Sequence, residues 1–253
     1  MMRPCAGADG CKAGWFAVIR VGGDAPEARI FARFADLVAA LPDDAIIAID
    51  MPIGLPERAG HGGRGPEAIV RRLLGERQSS VFSIPSRAAV QAERGPFATL
   101  DEWYAAHRRA CAVARETSDP RRGVSIQAFG IFAKIREVDA LLRGCPDLRE
   151  RVIESHPEVA FWRLNGEQAM ALPKKVKGRV NPSGMEERRA LLARRGLPRD
   201  MLERPVPRGA AEDDFLDACA MLLVAERKAQ GIAAPFPDPP LVDGFGIPVA
   251  IWT

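Results

Sequence analysis

Residues 45–50 read AIIAID, five apolar side chains in succession closed by an acid. A run without polar alternation suits a strand covered on both faces and flanked by helices. That segment points to an α/β chain and puts Asp50 at a strand end. The chain before it reads the same way. Residues 4–9 form a short strand of small residues that also ends on an acid, Asp9. A glycine-rich turn follows and an apolar strand runs back over 14–21, with Gly7, Gly10 and Gly14 permitting tight turning and close backbone approach. Residues 28–33 alternate as a third strand, and 34–41 read as a short helix stopped by Pro42. The expected order is three strands, one helix and the buried strand.

The periodicity then changes. Residues 57–145 contain no convincing strand. A Gly/Arg loop (60–65) precedes a helical spacing over 67–74, and 79–87 is an irregular stretch of small and apolar residues. Thr99 and Glu102 form a capping-box signature. The helix they open carries Trp103, His107, Ala110, Cys111 and Ala114 on one stripe. A further helix is predicted over 125–143, with Phe129, Phe132, Ile135, Val138 and Leu142 inward. The expectation is one domain over 1–253 with a helical insertion at about 57–145, packed on the core because no linker-like sequence bounds it.

Strand character returns at 151–154, ending in Glu154, and Pro157 sits in the first turn of the next helix. Residues 174–179 (KKVKGR) read as a basic loop. Ser183 and Glu186 read as a second capping box, and residues from Glu212 open the last long helix. The C-terminus suggests a small hairpin turning at Asp243 and Gly244.

Composition sets outer bounds. With 47% hydrophobic and 27% charged residues the chain is an ordinary globular protein. Its net charge of +3 does not by itself call for nucleic acid, so a polyanion would have to be met by local clustering. The five cysteines form no CxxC pair and an odd number resists a disulfide framework; they read as reduced thiols. Residues 1–4 lead into the first strand without an apolar signal segment, and no apolar run spans a membrane. A cytoplasmic protein with no membrane partner is expected.

Acids mark the ends of elements. Asp9 closes the first strand, Asp50 the buried strand and Glu154 the strand after the insertion. Asp214 and Asp217, three apart in the first turn of the last helix, share a face. Each has a plainer role available. Asp50 suits a turn, Glu154 a helix cap, and Asp213, Asp214 and Asp217 are favoured at a helix N-terminus by the macrodipole alone. Acids at the ends of adjacent strands, with a pair on a helix packed over them, can converge on one point, and clustered carboxylates are naturally satisfied by a hard cation such as Mg²⁺ or Mn²⁺.

The segments GADGCKAGW (7–15), AIDMPIGL (48–55), SVFSIPSR (80–87), KIREVD (134–139), ESHPE (154–158) and DDFLDA (213–218) span nearly the whole chain. Together they resemble a bacterial and archaeal family of predicted RNase H-like nucleases, catalogued as a domain of unknown function. The last segment is similar to the final acidic motif of RuvC-type resolvases. The resemblance implies an α/β, RNase H-like three-layer core with a mixed central sheet, and metal-dependent hydrolysis of phosphodiesters in nucleic acid with two cations. It implies Asp9 and Asp50 as metal ligands, with Asp214 or Asp217 closing the site and Glu154 as a fourth catalytic candidate.

Other residues are weighed beside these. His156 and Glu158 are candidates for general acid/base or supporting roles. Lys12, Arg87, Lys134, Lys174 and Lys175 are candidates for substrate binding, and Arg87 equally suits a salt bridge between insertion and core. Trp15, Trp103 and Trp162 suit core packing better than base stacking. A homodimer is left open. Two other functions stand beside the nuclease: a catalytically degenerate nucleic-acid-binding or regulatory module, and a nucleotide phosphotransferase or ATPase. The latter is weakened because no GxxxxGK[ST] is present.

Overall fold

The first three strands form a meander: β1 (Cys5–Cys11), β2 (Gly14–Arg20) and β3 (Glu27–Phe31), each antiparallel to the one before it. The chain then makes α1 (Phe34–Ala39) and returns as β4 (Ile46–Asp50), parallel to β1. In this computed structural model, which describes residues 3–253, the central sheet has the order β3-β2-β1-β4-β5, where β5 is Val152–Glu154 and runs parallel to β4. Met1 and Met2, where the reading of a missing signal segment began, lie outside the described residues.

Both faces of the sheet are covered, as the AIIAID run requires. The alternation of side chains divides the strands between two cores. Ala6, Ala8, Trp15, Ala17, Ile47, Ile49 and Val152 face one layer. Phe16, Val18, Ile46, Ala48 and Ile153 face the other. The first layer joins α1 to the segment between β4 and β5, which holds α2 (Pro66–Arg71), α3 (Arg87–Gln91), α4 (Leu100–Glu116), α5 (Ile126–Gly130) and α6 (Phe132–Gly144). Apart from isolated bridges at Ala59–Ser118 and Gly60–Gly63, the described residues of this segment form no strand. Phe129, Phe132, Ile135, Val138 and Leu142 are buried in one cluster with the sheet residues, so the insertion shares the core.

The second layer holds α7 (Pro157–Leu164), α8 (Pro182–Arg194), α9 (Arg199–Leu202) and α10 (Glu212–Ala229). Between α7 and α8 a two-stranded ribbon, β6 (Lys175–Val176) and β7 (Arg179–Val180), projects with all four residues exposed. α10 lies directly on β1. At Gly7 the approach is so close that a Cβ would stand 1.9 Å from the Leu222 backbone nitrogen and 2.2 Å from the Ala218 carbonyl oxygen. The chain ends in an antiparallel hairpin, β8 (Pro235–Val242) and β9 (Pro248–Trp252), next to β5, where Ser155 Oγ donates to the Trp252 carbonyl at 2.8 Å.

Several expectations need correction. The helix over 125–143 is two helices, broken at Ile131, whose backbone (φ −98°, ψ 0°) leaves helical geometry. The capping box at Ser183 is absent: Pro182 takes the first helical position, which its missing N–H suits, and Asn181 becomes the cap residue. Residues 174–179 are a short ribbon rather than a free loop. The Pro-rich segment before Asp243 is a strand. Thr99, by contrast, caps α4 as expected, accepting from the Glu102 backbone N–H at 3.2 Å. No helix among the described residues is long and apolar enough to cross a membrane.

Candidate metal centre

Register and strand parity build the site. Asp9 and Asp50 are direct partners in the parallel β1–β4 ladder, and parity puts both on the face covered by α10. On that helix Ala218 and Leu222 pack over Gly7, which sets Asp217 against the same strand ends. One carboxylate oxygen from each of Asp9, Asp50 and Asp217 lies within 4.8 Å of the others. Asp217 is 1% exposed and Asp9 9%, while Asp50 is half-buried.

Three carboxylates this close and this dry repel one another. Burial raises the Asp9 carboxyl well above its ordinary range, and the charges of Asp50 and Asp217 push it further. Burial, then the charge of Asp217, lift Asp50 to about 8. Burial also raises Asp217, to about 6, against the opposing pull of Lys174. That lysine, at the base of the exposed ribbon, forms an ion pair with Asp217 Oδ2. The other oxygen, Asp217 Oδ1, is buried without a hydrogen-bond partner. A convergent all-oxygen donor set with an unsatisfied buried oxygen fits a hard divalent cation, Mg²⁺ or Mn²⁺.

The neighbouring acids are placed differently. Asp214 turns its Oδ2 back to the Ala211 backbone N–H at 2.7 Å and caps its own helix, half-buried beside the cluster. Asp213 is paired with Lys175 at 2.5 Å. Glu154 approaches from the insertion side: it lines the same cleft as Asp9 and Asp50, and its charge adds to the upward push on Asp50, but it is not one of the three converging carboxylates. It pairs in register with Ile49, whose side chain lies in the opposite core, so its carboxylate points to the insertion side. There Arg64 grips it with two hydrogen bonds, 2.6 Å to Oε1 and 2.9 Å to Oε2, and the Ile53 N–H adds a third at 2.7 Å. Glu67 holds the same guanidinium at 2.7 Å, giving a buried Glu67–Arg64–Glu154 triad.

His156 precedes α7 and lines the cleft over Asp9 and Asp50. Burial pulls its imidazole down to about 4, so it is neutral near pH 7; its Nε2 lies 3.3 Å from the Ser80 carbonyl oxygen and its Nδ1 is buried without a partner. Glu158 is tied at 2.5 Å to Arg188, a fully buried arginine of α8. Lys134 also lines the cleft, but its ammonium donates to the Gly14 carbonyl and sits 4.8 Å from the centre of the Trp15 ring. Lys12 is exposed in the β1–β2 turn. Arg87 stands outside this cleft, forming ion pairs with Asp139 of α6 and with Asp243 in the C-terminal hairpin turn. It ties two helices of the insertion to the C-terminal hairpin turn, a salt-bridge role close to the second of its two expected ones.

The cleft encloses about 450 Å³. The residues Val81, Phe82 and Ile84 form a wall shared with a second cavity of about 420 Å³, which lies against the glycines of the 60–63 turn.

The sequence profile described as "Protein of unknown function (DUF429)" matches residues 7–241. The chain belongs to the DUF429 family. No curated protein and no solved structure matches it. Within this DUF429 chain, sequence reasoning missed Arg64 and Arg188, which offset the charge of Glu154 and Glu158, and Glu67, which shares the Arg64 guanidinium. Arg64 and Glu67 stand three apart across the start of a helix, the spacing of a local ion pair. Nothing local marks Arg188, whose partner lies thirty residues away.

Proposed function

We propose that this DUF429 chain is a divalent-metal-dependent phosphodiesterase of RNase H-like type that acts on nucleic acid. The observation that carries the reading is the convergence of Asp9, Asp50 and Asp217 within 4.8 Å at the ends of two adjacent parallel strands and on the helix crossing them. The strand order, with β2 alone running against the other four strands, supports it.

Asp9, Asp50 and Asp217 would hold Mg²⁺ or Mn²⁺, which when bound lowers the pKa of an attacking water and stabilises the charge of the scissile phosphate. The chain's own residues do the rest. Lys174 offsets part of the negative charge of the carboxylates, so an anionic ester can approach. His156, neutral and lining the cleft, would offer a hydrogen-bond donor and an acceptor without adding charge. Phe82, partly exposed on the wall, offers an aromatic face to a base. A cleft of about 450 Å³ matches a small-molecule pocket, room for one nucleotide unit. It suits a single strand or a chain end rather than an intact duplex.

The test is a cleavage screen on single-stranded and double-stranded DNA and RNA, hybrids and junctions with Mg²⁺ and Mn²⁺. Asp9→Asn and Asp217→Asn run alongside. Metal-dependent cleavage of single strands, absent from both variants, is the expected result. Binding without cleavage returns the chain to a nucleic-acid-binding module; equal cleavage by the variants overturns the assignment of the centre.

A further inference from the structure

The converging donor set at the centre is three carboxylates, and it contains a built-in positive charge. Of the acids near it, Glu154 lines the same cleft but both its oxygens are taken up by Arg64. Glu158 is held by Arg188, Asp213 by Lys175, and Asp214 spends one oxygen on the N-terminus of α10. Among the described residues the carboxylate oxygens that converge are those of Asp9, Asp50 and Asp217, and on Asp217 one oxygen already receives the Lys174 ammonium. A small hard cation such as Mg²⁺ takes one or two protein carboxylates and keeps several waters. Three carboxylates with one oxygen pre-empted suffice for a single ion of this kind, and a second would compete with Lys174 for Asp217.

Charge leads to the same place. With a cation bound the three acids would all be ionised, three negative charges beside the one positive charge of Lys174. One divalent ion brings the four groups to neutrality; two leave an excess of two positive charges in a largely buried site, which is costly. Lys174 is well placed for the part: its side chain is 27% exposed, and it is carried at the foot of a ribbon otherwise open to solvent.

We propose that Lys174 takes the place of a second metal ion, so that this centre binds one divalent cation and uses the lysine ammonium as its second positive charge. This rests on the metal-dependent reading above and replaces the two-cation arrangement that the family resemblance implies.

Counting Mn²⁺ bound per chain, by calorimetry and by electron paramagnetic resonance of free Mn²⁺, tests it on metal-stripped full-length protein. One ion per chain is expected for the natural sequence and for Lys174→Arg, and two for Lys174→Met, in which both Asp217 oxygens are released. Two ions on the natural chain overturn the role of Lys174 and leave the metal reading standing. No ion on the natural chain removes the metal reading itself, and the proposal with it. A Lys174→Met protein that folds by circular dichroism yet still binds one ion also overturns the proposal. Should that variant not fold, the natural chain and Lys174→Arg still decide the count.

Discussion

Asp9 and Asp50 occupy the same rung of the β1–β4 ladder, side by side on one face of the sheet. Two buried carboxylates in that position cost stability unless a proton or a cation satisfies them, and Asp217 adds a third. Asp9→Asn should therefore stabilise the metal-free protein, by about 1–2 kcal/mol, as substitutions that relieve an active site commonly do. Thermal melts in EDTA check the gain. Melts with added Mn²⁺ should show the natural chain rising and the variant unmoved.

The same groups set a pH dependence. Asp50 titrates near 8 and Asp217 near 6 in the folded chain, both above the ordinary carboxylate range. The folded state then holds protons that the unfolded state has already released. Stability is full below about pH 4 for these groups and is lost as pH rises through their folded values. His156, pulled down to about 4, acts in the opposite sense, losing stability as pH falls below about 6.5. From pH 6.5 to 8 Asp9 and Asp50 still hold protons that the unfolded chain has released, while His156 is neutral in both states. Urea midpoints of metal-free protein should fall across that interval, and Asp50→Asn should flatten the slope.

Arg64 sits between Glu67 and Glu154 with all three side chains buried. Removing the guanidinium in Arg64→Ala leaves two buried carboxylates without a counter-charge, a loss of about 3–5 kcal/mol by analogy with broken buried ion pairs. Glu154→Gln keeps the shape and most hydrogen bonds, so its Mn²⁺ affinity should stay within a few-fold of the natural chain. A loss of metal binding there would make Glu154 a ligand after all; calorimetry decides.

Gly7 has only backbone atoms of α10 above it. A methyl group cannot be absorbed by turning a side chain aside, so Gly7→Ala must lift the helix, at about 3 kcal/mol, the upper end for overpacking. Since the lift moves Asp217 away from Asp9, metal affinity should fall with stability. Denaturant titration and Mn²⁺ binding on the same sample measure both.

The strands and the first two ligands were legible because their signals are local. An apolar run ending in an acid marks a buried strand end at Asp50, and small residues ending in an acid do so at Asp9. Among Asp213, Asp214 and Asp217 the choice depends on which side of α10 meets β1, and that is fixed by Gly7, more than two hundred residues upstream. Glu154 shows what is lost without register. It ends its strand as Asp9 and Asp50 end theirs, but its rung pairs it with Ile49 rather than Asp50, which turns it to the opposite face. Lys174 and Lys175 read as a solvated basic patch because their acidic partners are forty residues away in the chain. The broken helix at Ile131 and the early start at Pro182 are errors of boundary, where backbone geometry outweighs composition.

The wall of the cleft is fastened along its length. Arg71 donates to the Val81 carbonyl at 2.9 Å and to Ser83 Oγ at 2.8 Å, the Arg87 N–H reaches the Pro56 carbonyl at 2.9 Å, and the Arg87 side chain is anchored to both α6 and the C-terminal hairpin turn. Widening the aperture would mean breaking these bonds together, since no single joint lets the wall swing. The opening is thus gauged when the chain folds. On the proposed reading, a substrate would then be selected by its width at the mouth rather than by a wall that closes around it.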